Sequence, residues 1–83
     1  MRRSIYSNEN KALTEWLVEQ RQKAKLTQRE LATLLDVHHS IVGKIETGER
    51  RLNVVEFVEY CLKLDADPHE VIDIVSGQVS MNS

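Results

Sequence analysis

Eighty-three residues, 41% of them apolar and 29% charged, suffice for one small globular domain and argue against a disordered chain. The single cysteine, Cys61, excludes an intramolecular disulfide, and no Cys or His pair has zinc-ligand spacing. The formal charge of −2 hides an asymmetry: residues 1 to 51 hold 10 Lys or Arg against 7 Asp or Glu, whereas residues 52 to 83 hold 1 against 6.

A nucleic-acid partner therefore remains open to the basic half, because phosphate contacts act locally and salt screens charge beyond about 8–10 Å. With no apolar run of about eighteen residues and no secretory leader, the chain is expected to reside in the cytoplasm. Glycine-rich phosphate loops, nucleophile motifs and metal clusters are missing too, so no catalysis, metal or cofactor is expected.

In chain order, residues 1–7 read as a flexible arm. Arg2 and Arg3 either reach DNA phosphate or the minor groove or belong to an unstructured terminus, and Ile5 and Tyr6 could pack on the domain or on a second subunit. A first helix is expected from Asn8 or Asn10 to Lys25, with Glu9 at the positive end of its dipole. Leu13, Trp16, Leu17, Gln20 and Ala24 mark its buried stripe, and Trp16 suits a core or a subunit interface.

Thr27 and Glu30 form a capping box that opens a second helix at Gln28. Its apolar face, Leu31, Leu34 and Leu35 beside Ala32, breaks at Asp36. Helical spacing resumes at Ile41, Val42 and Ile45 and stops at Thr47-Gly48, where glycine supplies the positive φ of a C-terminal cap. Two helices so short and so closely linked must cross steeply, as in a helix-turn-helix.

The loop Glu49-Arg50-Arg51 follows. Asn53 and Glu56 form a second capping box for a helix from Val54 to Leu64. Val54, Phe57, Cys61 and Leu64 make its core stripe; Val55, Val58 and Leu62 make a second stripe that suits a dimer or partner surface. Asp67-Pro68-His69-Glu70 starts a fifth helix, read as ending at Ser76-Gly77, whose Ile74 and Val75 join that surface. His69 is read as an exposed first-turn residue. The division is an arm at 1–7, one domain at 8–77 and a tail at 78–83, where Val79 and Met81 could join a partner surface.

The segment from about Leu17 to Ile72 resembles the phage repressor and Cro proteins and their bacterial relatives, the XRE family. Leu31, Ala32, Leu35, Val37, Val42 and Ile45 match that family's small or apolar core positions, and Ile45-Glu46-Thr47-Gly48 matches its IE-x-G signature. The resemblance implies an all-α, five-helix fold with the helix-turn-helix in helices 2 and 3. It also implies an Arg21–Glu46 pair that ties helix 1 to helix 3.

By the same resemblance, His38, His39, Ser40 and Lys44, with Gly43 on their face, occupy base-reading positions in the major groove. Gln28, Arg50 and Arg51 occupy phosphate-contact positions, and Arg29 is either a further one or part of a solvated face. Four residues depart from the pattern: Asp36 for the turn glycine, His38 for a Ser or Thr cap, Gly43 with its low helix propensity inside the third helix, and Glu49 for a basic residue. The two histidines, adjacent in sequence, are expected to point in different directions.

The implied function is a sequence-specific DNA-binding regulator, most simply a repressor, that binds an inverted repeat as a homodimer. The alternatives are an antitoxin whose acidic half holds a basic toxin, and a protein-interaction module without DNA binding.

Overall fold

The computed structural model describes residues 8–82, with side chains through residue 77. Five helices follow in order: α1 (Asn8–Lys23), α2 (Gln28–Leu35), α3 (His39–Thr47), α4 (Val54–Leu64) and α5 (Pro68–Asn82). No strand occurs among the described residues.

Local chemistry sets the helix starts. Both capping boxes form in full: Glu30 N–H donates to Thr27 Oγ1 at 3.1 Å while Thr27 N–H donates to Glu30 Oε1 at 2.9 Å, and Asn53 and Glu56 repeat the pattern. Asp67 opens α5 by accepting from His69 N–H at 2.9 Å, with His69 exposed.

Four helices end in a left-handed residue, and only one of these, Gly48 (φ 85°), is a glycine. Lys25, Asp36 and Asp65 take the same conformation, with φ between 54° and 59°. Each of the three sits in a Schellman turn, for instance Asp36 N–H to Thr33 C=O and Val37 N–H to Ala32 C=O. The turn at Lys25 ends α1 at Lys23, two residues short of the expectation, and leaves Ala24 exposed rather than in the buried stripe.

Leu17, Leu31, Val42, Tyr60 and Cys61 are fully buried at the centre, and Trp16, Ala32, Ile45, Leu64 and Val71 complete the core. Burying a side chain such as Leu31 contributes about 1.5–3 kcal/mol. Phe57 packs on this core, its ring centroid 6.3 Å from that of Trp16. α1 lies along α5 and also touches α3, while α2 bridges α3 and α4.

Four expectations are corrected. Val54, placed on the core stripe of α4, is 78% exposed, because as the first residue of α4 it projects beyond the packed turns; Tyr60 takes the buried position instead. Leu34 and Val37, expected in the core of the helix-turn-helix, are 46% and 41% exposed. Finally, α5 does not stop at Ser76-Gly77 but runs to Asn82. Gly77 has no positive φ, and a helical glycine costs only about 1 kcal/mol relative to alanine, too little to end a helix without a cap.

Candidate nucleic-acid interface

α3 buries Val42 and Ile45 and leaves Ser40, Lys44 and Thr47 exposed. Its N-terminus is capped by His38, whose extended backbone (φ −69°, ψ 143°) brings Nδ1 within 3.2 Å of the Ser40 N–H donor. Nδ1 also lies 2.8 Å from Ser40 Oγ. The imidazole thus does the work that a Ser or Thr hydroxyl does at a more usual N-cap.

The imidazoles of His38 and His39 stack, with centroids 4.3 Å apart and planes 31° from parallel. This corrects the expectation that they diverge: the divergence rule holds inside a helix, and His38 stands outside it. His39 is the more enclosed of the two, and its protonated form is disfavoured by desolvation, then by Arg29, then by His38. Sequence spacing did not suggest that Arg29, on α2, acts on the reading face.

Gly43 is half-buried, and a Cβ placed there would meet Gln28 Oε1 at 3.6 Å, an ordinary contact. The domain interior therefore does not require glycine at this position.

Gln28 turns inward at its amide: Nε2 donates to Glu46 Oε1 at 3.0 Å. Glu46 also accepts from Arg21 Nε at 2.7 Å and Nη2 at 3.2 Å, and Arg21 Nη1 donates to the Leu26 carbonyl at 2.8 Å. The Arg21–Glu46 pair thus forms as expected and recruits Gln28 to the same carboxylate. Gln28 remains exposed at the N-terminus of α2, where free backbone N–H groups favour an anion.

Arg50 donates through Nη2 to Glu56 Oε2 at 2.9 Å, so the capping-box glutamate of α4 also holds the loop arginine. Hydrogen bonds from the Asn53 backbone and from Arg50 lower the Glu56 pKa. This second role of Glu56 was missed; its nearness in sequence to Arg50 was the only signal. Arg51 and Glu49 are exposed in the same loop. Arg2 and Arg3 lie outside the described residues, as do Ile5 and Tyr6.

A helix-turn-helix family model matches residues 17–71. The chain is also similar to a solved structure described as an XRE-family like protein from Pseudomonas syringae pv. tomato str. DC3000, at 38% identity over 83% of this chain and 84% of that one, with a TM-score of 0.76. The chain belongs to the XRE family. Comparison with curated proteins gives no match.

As an XRE-family member the chain is a DNA-binding regulator of that type, with the all-α fold the sequence implied. The family match runs from the buried Leu17 of α1 to the buried Val71 of α5, so it takes in the whole helix-turn-helix and the elements that brace it. No described helix is long and apolar enough to cross a membrane, and no metal-ligand cluster occurs among the described residues.

Val55, Val58 and Leu62 fall on one side of α4 and are 67%, 42% and 74% exposed, and Ile74 of α5 is 42% exposed. Val75 instead packs partly against the core, beside an apolar groove between α4 and α5 that also involves Leu13 and Phe57. Val79 and Met81 have no described side chains.

Proposed function

We propose that this XRE-family chain is a non-catalytic transcriptional repressor that occludes a promoter by binding an inverted-repeat operator as a homodimer. α3 enters the major groove with His38, His39, Ser40 and Lys44 at base edges and Gly43 allowing close approach. Gln28, Arg29, Arg50 and Arg51 position the domain on phosphates.

One observation carries the reading: α3 is anchored by buried Val42 and Ile45 while His38, Ser40 and Lys44 stand exposed and polar on its outer side. A rigid helix with such a face is what readout of base edges needs.

Selection of bound sequences from a random duplex pool tests it. An inverted repeat with half-sites one helical turn apart, about 34 Å, supports the reading. An asymmetric or single half-site removes the homodimer, and a pool that stays random removes DNA readout.

A second reading, an antitoxin, draws on the exposed Val55, Val58 and Leu62 of α4 lying in the acidic half of the chain. It predicts that a basic protein partner occupies that face while α3 still binds the operator. A complex with a toxin encoded beside this chain would favour it.

A further inference from the structure

We propose that His38 and Ser40 act as one donor–acceptor unit in base readout, with the polarity of Ser40 set by the cap that His38 places on α3. This deepens the reading of α3 as the major-groove helix and rests on it.

The cap assigns the protons. Nδ1 of His38 accepts from the Ser40 backbone N–H at 3.2 Å, so Nδ1 carries no proton, and a neutral imidazole must then hold its proton on Nε2. With Nδ1 bare, the hydrogen in the 2.8 Å contact between Nδ1 and Ser40 Oγ can only come from the serine hydroxyl. An isolated serine hydroxyl rotates to donate or accept as its partner demands. Here the rotor is turned inward, and the exposed side of Oγ offers lone pairs alone.

Both side chains are exposed, so the unit faces outward as an N–H donor from His38 and an acceptor from Ser40. In the major groove an acceptor matches a base that carries an amino group, adenine through N6 or cytosine through N4. A donor matches purine N7, guanine O6 or thymine O4. Ser40 is thereby converted from a tolerant contact into a selective one.

Two measurements on the full chain test the unit. Long-range 1H–15N correlation spectra of the free protein at pH 7.5 should show His38 as the Nε2–H tautomer; an Nδ1–H tautomer overturns the proposal while leaving DNA binding intact. Selection from a random duplex pool at pH 7.5 reads the consequence. At pH 7.5 one position per half-site should favour adenine or cytosine by at least about fivefold, the lower end of the cost of one mismatched base pair.

Ser40→Ala should abolish that preference, and His38→Ala, which leaves the Ser40 hydroxyl without its inward acceptor and free to rotate, should flatten it. An unchanged preference in either variant overturns the unit alone. A pool with no enrichment overturns the reading of α3 and this inference together.

Discussion

Arg21 and Glu46, 25 residues apart, join α1 to α3 by a two-point ion pair in which the side chains are only 15% and 5% exposed. The Leu26 carbonyl and the Gln28 amide complete the network around them. Removing one partner leaves the other charge enclosed without compensation, which typically costs about 3–5 kcal/mol. Arg21→Ala and Glu46→Ala should each lower unfolding free energy by about 3 kcal/mol in urea titration. Arg21→Met with Glu46→Leu should recover most of that loss, because two apolar groups leave no orphan charge. A double variant as unstable as the sum of the two singles contradicts this account.

The sequence makes the fold legible wherever local chemistry decides it. Thr27 with Glu30 and Asn53 with Glu56 mark helix starts through hydrogen bonds that close within four residues, and both boxes form. Ends were harder, since Lys25 and Asp65 adopt a conformation usually signalled by glycine, while Gly77 does not. Burial of single residues depends on tertiary geometry: Val54 and Tyr60 each lie three residues from Phe57 along α4, and the fold buries Tyr60 while leaving Val54 exposed. At the candidate site the sequence supplied the residues but not their relations. The stacking of His38 on His39 depends on His38 being outside the helix, and the Arg50–Glu56 pair depends on how the loop folds back.

Gly43 separates folding from recognition. With only an ordinary contact awaiting a Cβ, Gly43→Ala should stabilise the domain by about 0.5–1 kcal/mol, the gain in helix propensity. If α3 lies close against the base edges, the same methyl should weaken operator binding. Thermal unfolding and operator titration on the one variant decide the matter: higher Tm with unchanged affinity removes Gly43 from the interface.

Lys44 and Arg50 should fail in different ways. Lys44 is exposed on α3 and can donate to guanine O6 or N7, so Lys44→Ala should relax sequence preference, by about 1–3 kcal/mol at one position. Arg50 grips phosphate under the proposed function, so Arg50→Ala should weaken specific and non-specific DNA alike and reduce the salt slope by about one charge. Its ion pair with the half-exposed Glu56 holds the guanidinium near α4, and losing that pair should leave Tm nearly unchanged. Salt-titrated binding to operator and to random duplex separates the two roles; identical behaviour would falsify the division.

His39 makes binding and stability respond to pH in opposite directions. His39 titrates below its ordinary 6.5 in the folded chain because desolvation, Arg29 and His38 all oppose its charge. As pH falls, the unfolded chain takes up this proton first, so the residue contributes stability that is complete above pH 6.5 and is lost as pH falls through 6.5 toward the folded value. Phosphate, by contrast, favours the charged ring, so affinity should rise as pH falls, with its onset below the 6.5 that the sequence alone suggests. Arg29→Ala should move the His39 titration upward in an NMR pH series. A wild-type His39 that titrates at 6.5 or above contradicts the geometry.

The exposed apolar face of α4 offers the most direct check on assembly. Val55 and Leu62 are 67% and 74% exposed, so replacing either by a charged residue removes little from the monomer's core, and such surface changes usually stay within about 0.5 kcal/mol. In a homodimer that buries this face, however, each substitution places a charge against apolar surface, and the added carboxylates of two copies meet. Leu62→Glu should therefore yield a folded monomer, with unchanged far-UV circular dichroism and a sedimentation mass near 9.6 kDa. Loss of the dimer should also weaken binding to an inverted repeat far more than binding to one half-site, because the second contact is no longer tethered to the first. If Leu62→Glu and Val55→Glu both sediment as wild type and bind the full operator as tightly, the dimer does not use α4 and the face is free for a different partner.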